Sequence, residues 1–343
     1  MRTVTSLCLL VVISICLNLP ALAGNELPVI QPQVLRWPDG LPVYDHVVVV
    51  VEENKDYDEI IGNSAACYIN GVLKAEGASL IQMYGEEHNS QGNYFWLFCG
   101  SNLNVGFDDA IPCGKFQSSN LGQQLLAKGL TFKGFAEDLP AIGSKVNTVD
   151  EDCERIYGRK HVPWVSFGNL PSGTTANTSC NLRWSDFPDP AHYATLPTVS
   201  FVIPNLMNDM HNGPLATSIR LGDTWLRRHL DPYYQWAKTH NSLLIVTFDE
   251  SNVKTDYIGL TNPSVKPTDF LRKDLQNRIV TIFAGARIKC GEYAEGHGVT
   301  HVNILRTLEA MYGLPKSGAQ QGNAAGIGIS NEYLITDVFS GSQ

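Results

Sequence analysis

Polar side chains that could perform metal or acid–base chemistry follow several short apolar runs of the sequence. Glu53 and Asn54 end a run of five valines, and Asp249 and Glu250 end the run SLLIVTF. Carboxylate and amide oxygens are preferred ligands of hard divalent cations. An acidic pair after one strand is more often a cap or a turn, but the recurrence of the pattern favours a shared site.

Two further polar clusters add hydroxyl, amide and imidazole groups. Ser90 and Asn93 lie in GEEHNSQGNY, and Asp209 and His211 lie in PNLMNDMHNG. A serine hydroxyl is a weak nucleophile at neutral pH and needs a nearby base or metal, so Ser90 is the natural nucleophile if a cation is bound. Its structural alternative is a turn serine.

Several well-known catalytic motifs are missing from the sequence. It contains no G-x-S-x-G, which disfavours a serine esterase or lipase, and no nucleotide-binding G-x-x-x-x-G-K-[ST] or G-x-G-x-x-G. His297 and His301 are four residues apart in GHGVTH, but Gly298 stands where a metalloprotease has glutamate. For each of these histidines, a helix-start role and a catalytic role are similarly supported.

The apolar runs must form the elements that position these clusters. Runs such as SLIQMY, LTFKGFA, TVSFVI and RIVTIFA alternate with helical or loop segments. This pattern predicts an α/β fold with a mainly parallel central sheet sandwiched between helices. Because ligands bind beyond the carboxyl ends of such strands, the clusters are expected to converge there. A last helix is predicted from the N-cap Thr300 to a stop at Gly313 and Pro315.

The first 23 residues predict a secretory signal peptide. They carry a single charge at Arg2, an apolar stretch, and small residues at Ala21 and Ala23. We therefore expect a secreted, extracellular protein without a membrane anchor, with a single domain over 24–343 and a loop-rich insertion around 143–190. The sequon at Asn177 falls in that insertion and predicts a glycosylation site.

Charge and cysteine content restrict the partners and the compartment. The chain has 25 Lys and Arg against 34 Asp and Glu, so bulk charge disfavours nucleic acid. An anionic substrate would need local positive charge in the site. Six cysteines remain after the signal segment, which allows up to three disulfides in an oxidising compartment. They are Cys67, Cys99, Cys113, Cys153, Cys180 and Cys290.

Ordered blocks along most of the mature chain resemble the phosphoesterase family that includes secreted acid phosphatases and bacterial and plant phospholipases C. The blocks include VVVVVEENKDYDEIIG, HNSQGNYFWLFCGS, RKHVPWVSF, SFVIPNLMNDMH, LLIVTFDES and HVNILRTLEAMYGLP. The resemblance implies the fold of the alkaline phosphatase superfamily, an α/β/α sandwich with a metal-assisted nucleophile. Members commonly have proline at the positions of Asn89 and Gly92, where this chain departs from the pattern. The C/S-x-P-x-R sequence of sulfatases is absent.

The resemblance also implies residue roles. It assigns a divalent metal ion of unknown identity to Glu53, Asn54, Ser90, Asp249 and Glu250. It assigns catalysis to Ser90, Asn93, His211 and His301, and phosphate binding to Asn93, Asp209, His211 and His301. A histidine would protonate the leaving group. Ser90 precedes Asn93 by three positions, as the nucleophile precedes a phosphate-contacting asparagine in part of the superfamily.

These observations favour a secreted metal-dependent phosphomonoesterase of the acid phosphatase type, acting on small phosphate esters through a phosphoserine intermediate. A phosphodiesterase or phospholipase C with the same centre is the main alternative. A third is an inactive secreted binding protein that keeps the fold.

Overall fold

A mostly parallel sheet forms the centre of the molecule, which we describe from a computed structural model. The description covers residues 41–88, 90–105, 110–252, 277–294, 298–322 and 329–340. The predicted signal segment, Asn89 and His297 lie outside the described residues. The sheet has eight strands in the order β11-β2-β10-β9-β1-β8-β4-β7. The strands of this sheet, together with four strands that form two separate two-stranded sheets, are β1 His46–Glu52, β2 Ala78–Leu80, β3 Met83–Tyr84, β4 Phe132–Ala136, β5 Thr148–Glu151, β6 Glu154–Gly158, β7 Asn181–Arg183, β8 Val199–Ile203, β9 Ser242–Phe248, β10 Thr281–Gly285, β11 Gly291–Tyr293 and β12 Val299–Thr300.

The central strands are buried on both faces, as their β-branched composition predicts. The valines of β1 are at most 1% exposed, and β1 pairs in parallel with β8 on one side and β9 on the other. The strand from the RIVTIFA run, β10, runs antiparallel to both β9 and β2. The prediction of a mainly parallel α/β sheet is therefore confirmed.

Helices flank the sheet in two groups. In the first group, α3 packs against α4 and α7, and in the second α5 packs against α6. The helices are α1 Tyr57–Ile60, α2 Lys74–Glu76, α3 Ser90–Cys99, α4 Leu121–Ala127, α5 Leu215–His229, α6 Asp231–Ala237 and α7 His301–Met311, with a π-helix over Ile69–Leu73. Helix α7 begins after Thr300, whose side chain and that of Asn303 form a capping box, as the sequence predicts.

The region around 143–190 contains more order than its composition indicated. It forms the hairpin β5–β6, two 3₁₀ turns over Arg159–His161 and Pro163–Ser166, and the edge strand β7 of the main sheet. Trp164 packs closely against Gly134 of β4, where a Cβ atom would come 2.1 Å from the indole ring. This contact anchors the two 3₁₀ turns on the sheet.

The cysteines and the helices can be compared with the expected disulfides and with the expected lack of a membrane anchor. All six cysteines lie in the described part of the chain and are free thiols there. The structure therefore forms none of the disulfides that the cysteine count allowed. Among the helices of the described residues, no segment has the length and apolar character needed to cross a bilayer.

Candidate active site

The register of β1 and β9 brings their acidic ends together. Glu52, the last residue of β1, pairs with Phe248, the last residue of β9. Glu53 and Asp249, which follow directly after these two strands, are therefore neighbours at the same edge of the sheet. The backbone N–H of Asn54 donates to Asp249 Oδ1 at 3.0 Å, with Asn54 in the left-handed conformation at φ 49°. This turn fixes the two acids relative to each other.

Ser90 joins the acids from the first position of α3. Its hydroxyl oxygen lies 3.1 Å from Glu53 Oε2 and 3.0 Å from Glu250 Oε1, and the side chain is buried. A hydroxyl has one proton and can donate to one of the two carboxylates at a time. Either acid can therefore take the serine proton. The structure thus brings Glu53, Asn54, Ser90, Asp249 and Glu250 to one place.

His88 holds Glu250 in this arrangement. Its Nδ1 contacts Glu250 Oε2, on the side of the carboxylate opposite to Ser90. Two carboxylate oxygens bound from opposite sides leave the Glu250 side chain little rotational freedom. The sequence placed His88 in the correct cluster but assigned it no role.

Asn93 has its side chain turned towards the loop before α3. Its Oδ1 accepts from the backbone N–H groups of Glu86 at 2.8 Å and Glu87 at 3.1 Å, and its Nδ2 donates to the Glu87 carbonyl at 2.6 Å. The amide thus ties the residues before Ser90 to the helix that Ser90 begins. Phosphate contact by Asn93 remains a prediction, and one Nδ2 hydrogen is the group available for it.

Asp209 approaches from the loop after β8. The Glu53 backbone N–H donates to the Asp209 carbonyl at 2.7 Å, and Asp209 Oδ1 accepts from the His211 backbone N–H at 2.8 Å. His211 is half-buried, and its Nδ1 lies 2.8 Å from Asn212 Oδ1. The Asp209 carboxyl is fully buried, and its Oδ2 has no hydrogen-bond partner among the described residues.

His161 enters the same centre, and sequence reasoning missed it. Its Nε2 lies 3.2 Å from Glu53 Oε1, and its ring stacks on Tyr94 with centroids 4.8 Å apart. The Tyr94 hydroxyl donates to the same Glu53 oxygen at 2.6 Å. His161 belongs to the loop-rich region, far in sequence from the other clusters. Its block RKHVPWVSF was one that resembled the family, and this was the available signal.

His301 lies behind the acids. Its Nε2 donates to the carbonyl oxygen of Phe248 at 2.8 Å, so it supports the backbone just before Asp249. Burial lowers the pKa of His301 to about 4, which keeps the ring neutral at neutral pH. In this position His301 holds the end of β9; its predicted contacts with phosphate and leaving group remain untested.

The electrostatics of the site are dominated by buried acids. Burial raises the pKa of Glu53, and the nearby His211 and Lys160 oppose this effect. Burial and then repulsion by Glu53 raise the pKa of Asp209 and of Asp249 well above the ordinary range. Burial lowers the pKa of Lys55, whose Nζ donates to the Asn54 carbonyl at 3.0 Å. Crowded carboxylates of this kind are stabilised in their ionised form by a bound cation.

The residues present fit a divalent metal ion. Asp249 Oδ2 and Asp209 Oδ2 are buried and lack a hydrogen-bond partner among the described residues, which is costly for a carboxylate that does not bind an ion. Glu53, Asn54, Ser90, Asp249 and Glu250 supply oxygen donors, as hard cations require. A metal centre at this edge of the sheet is therefore consistent with the donor set.

Comparison with known proteins places this site in a family. The phosphoesterase family model matches residues 70–315. A phosphatidylinositol-3-phosphatase of Mycobacterium tuberculosis is 45% identical over 287 residues, covering 84% of this chain and 83% of that protein. A phosphate-repressible acid phosphatase of Penicillium chrysogenum is 25% identical over 80% of this chain and 60% of its own length. The chain thus spans about three-fifths of that longer fungal enzyme.

A solved structure shares the fold at low sequence identity. A Bacteroides thetaiotaomicron protein, from a locus for the metabolism of multiple glycosaminoglycans, is 12% identical with a TM-score of 0.50, over 84% of this chain and 83% of that one. An alkaline phosphatase superfamily protein of Vibrio parahaemolyticus is 10% identical with a TM-score of 0.49, over 82% and 70%. From the family match and the 45% identical relative, the chain belongs to the phosphoesterase family and is a phosphoric ester hydrolase.

Proposed function

We propose that the protein is a secreted, metal-dependent phosphomonoesterase of the acid phosphatase type that acts through a phosphoserine intermediate. The observation that carries this proposal is the Ser90 hydroxyl, which lies within 3.1 Å of both Glu53 and Glu250. A buried serine between two carboxylates has the proton acceptors that a nucleophile needs. Relatives named as acid phosphatases, including one of Aspergillus niger, support the same class.

The first chemical step is attack by Ser90 Oγ on phosphorus. The serine proton passes to Glu53 or Glu250, the new O–P bond forms, and the bond to the leaving alcohol oxygen breaks in line with it. The leaving oxygen takes a proton from a histidine, a role we assign to His211 because it is half-buried and near Glu53. A water molecule then attacks the phosphorus of the phosphoserine and gives a proton to the histidine. The bond between phosphorus and Ser90 Oγ breaks, the carboxylic acid formed in the first step returns its proton to Ser90, and inorganic phosphate is released.

A divalent ion held by Glu53, Asn54, Ser90, Asp249 and Glu250 would supply charge that favours the serine alkoxide and stabilises the phosphoryl oxygens. The chain's own cations add to this. Lys160 is close enough to Glu53 to lower the pKa of that carboxyl, so its ammonium contributes positive charge to the centre. An anionic substrate needs positive charge in the site because the chain as a whole is acidic, and this local charge supplies it.

The secreted location is also part of the proposal. The first 23 residues have the pattern of a signal peptide, and Asn177 of the sequon is exposed in a turn, where an oligosaccharide could be attached.

Replacing the nucleophile tests the proposal directly. Ser90→Ala is expected to lower kcat for p-nitrophenyl phosphate by several orders of magnitude, on the order of 10³ or more, because the covalent route is lost. Ser185→Ala, at an exposed serine, is the matched control. Acid quenching with a ³²P-labelled substrate should trap label on the wild type and none on Ser90→Ala. Near-wild-type activity of Ser90→Ala would refute the assignment.

One relative favours a particular monoester. The 45% identical protein is named a phosphatidylinositol-3-phosphatase, so phosphatidylinositol 3-phosphate is our second candidate substrate. We would assay it beside p-nitrophenyl phosphate, bis-p-nitrophenyl phosphate and an unphosphorylated phospholipid. Hydrolysis of the monoesters alone supports the proposal, while hydrolysis of the diester or the phospholipid favours a phosphodiesterase or phospholipase C. Absence of all hydrolysis by the metal-loaded protein would favour the binding-protein alternative.

A further inference from the structure

We propose that a cavity beside the edge strand β7 binds a short, branched aliphatic carboxylate, at a site separate from the catalytic centre. The cavity has a volume of about 70 Å³ and lies between the loop before α4, the loop after β4 and the segment over 164–172. None of its lining residues is among those assigned above to metal, phosphate or catalysis. A ligand in the cavity therefore leaves the proposed catalytic groups untouched.

The side chains of the cavity wall are mostly apolar or already hydrogen-bonded. Trp164, Phe167 and Leu170 contribute apolar side chains. Asn181 is the polar exception, but its Oδ1 accepts from Trp164 Nε1 at 2.9 Å and its Nδ2 donates to the Ser144 carbonyl at 3.0 Å. A ligand rich in hydroxyl groups would lose its hydrogen bonds to water there without replacement, so the wall favours an apolar body.

The backbone N–H groups of the three lining glycines are also used within the protein. They donate at 2.8–3.0 Å to carbonyl oxygens, Gly114 to Val165, Gly143 to Asn181 and Gly168 to Phe116. A phosphate group is commonly bound by several converging backbone N–H donors, and these three are not available to it. The cavity therefore differs in kind from a phosphate site.

The charge next to the cavity is positive. Lys145 lines it and is exposed, so its ammonium lies at the mouth, where it has no acidic partner among the described residues. Lys115 adds a second cation one residue beyond the lining position 114. The segments that form the wall contain no Asp or Glu, although the whole chain has a formal net charge of −9; they are 111–118, 141–147 and 163–173. One unpaired ammonium beside an apolar cavity matches a monoanion whose charge lies at one end of an apolar body.

The volume of the cavity sets the size of that body. A cavity of about 150 Å³ in another protein accommodates benzene, so a cavity of less than half that volume takes a smaller group. A branched group of about four carbons is the largest body that we expect to fit. Isovalerate has such a body and a single carboxylate, whereas an aromatic ring or a long acyl chain is excluded.

Arg159 holds two walls of the cavity together. Its guanidinium donates to Cys113 Sγ at 3.1 Å and to the Ile111 carbonyl at 2.8 Å. It also donates to the carbonyl oxygen of Lys145. Because the protein itself supplies these contacts, the cavity is preformed, which reduces the entropy lost when a ligand binds.

Calorimetric titration of the full chain with isovalerate tests the proposal, with inorganic phosphate present in excess to occupy the catalytic centre. We expect one isovalerate to bind per chain. Acetate has the charge without the body, and 3-methylbutanol has the body without the charge. Each should bind about 10-fold more weakly or less, because each lacks one of the two interactions.

Two variants locate the site. Lys145→Gln should remove the preference for isovalerate over 3-methylbutanol, and Val165→Phe should abolish binding of both by placing a ring in the cavity. Lys128→Gln, at an exposed lysine just after α4, is the matched control and should keep the wild-type affinity.

Four results would overturn the proposal. They are the lack of saturable binding at millimolar isovalerate, displacement of isovalerate by inorganic phosphate, equal weakening in Lys145→Gln and Lys128→Gln, and full binding by a folded Val165→Phe. If Val165→Phe fails to fold, the comparison of the two lysine variants still decides. If Ser90→Ala keeps its hydrolytic activity while isovalerate binds as expected, the proposed function fails and the carboxylate site stands.

Discussion

The buried carboxyl of Glu86 predicts a measurable pH dependence of stability. Glu86 is 0% exposed, its Oε1 accepts from the Val302 N–H at 3.3 Å, and its Oε2 has no partner among the described residues. Burial raises its pKa from the ordinary 4.5 to about 8. The folded protein therefore keeps Glu86 protonated at pH 7, whereas the unfolded chain ionises it. Its contribution to stability is full below pH 4.5 and is lost as pH rises through 8.

The size of the effect follows from the shift. One pKa unit corresponds to about 1.4 kcal/mol, so the interval from 4.5 to pH 7 costs the folded state about 3 kcal/mol. Glu86→Gln cannot ionise and keeps a carbonyl oxygen for the Val302 N–H. The variant should therefore gain about 3 kcal/mol of unfolding free energy relative to the wild type between pH 4.5 and pH 7.

Equilibrium urea unfolding across this pH range, with chelator present, measures the difference. All other titrating groups are common to both proteins and cancel in the comparison. Glu151→Gln, at an exposed residue of the β5–β6 hairpin, is the matched control and should show no such trend. A difference between Glu86→Gln and the wild type that stays constant with pH would refute the reasoning, because a merely altered contact does not depend on ionisation.

Two further predictions concern the residues around Ser90. Tyr94→Phe removes the hydroxyl that donates to Glu53 Oε1 at 2.6 Å and should lower kcat/KM about 10- to 100-fold in the metal-loaded enzyme, whereas an unchanged value contradicts the role of this contact. Gly92→Ala would place a Cβ atom 1.6 Å from Glu87 Oε1, so we expect destabilisation of about 1–3 kcal/mol that Glu87→Ala in the same chain largely relieves. Gly71→Ala, with nothing within 4 Å of the added atom, is the control, and an equal cost at both glycines would argue against the clash.

The sequence predicted the sheet and the acids at its edge because both are local signals. A run of β-branched residues followed by carboxylates identifies Glu53 and Asp249 without knowledge of their neighbours. His161 could not be found in this way, since its turn reaches the site through tertiary contacts, namely the packing of Trp164 on Gly134 and the stacking of His161 on Tyr94. For Asn93, the sequence identified the residue but could not show the contacts of its side chain. Its spacing from Ser90 fits a phosphate ligand, but spacing cannot show that its amide bonds the backbone of Glu86 and Glu87.

The two adjacent glutamates at the end of β1 are chemically identical but face different surroundings. Successive side chains of an extended chain point to opposite sides, so Glu53 meets Ser90 and Tyr94 of α3 while Glu52 is turned towards Asp223 of α5. Inserting or deleting one residue in the valine run would exchange their positions. The number of residues between Asp45 and Glu53 therefore has a fixed parity in any variant that keeps this site.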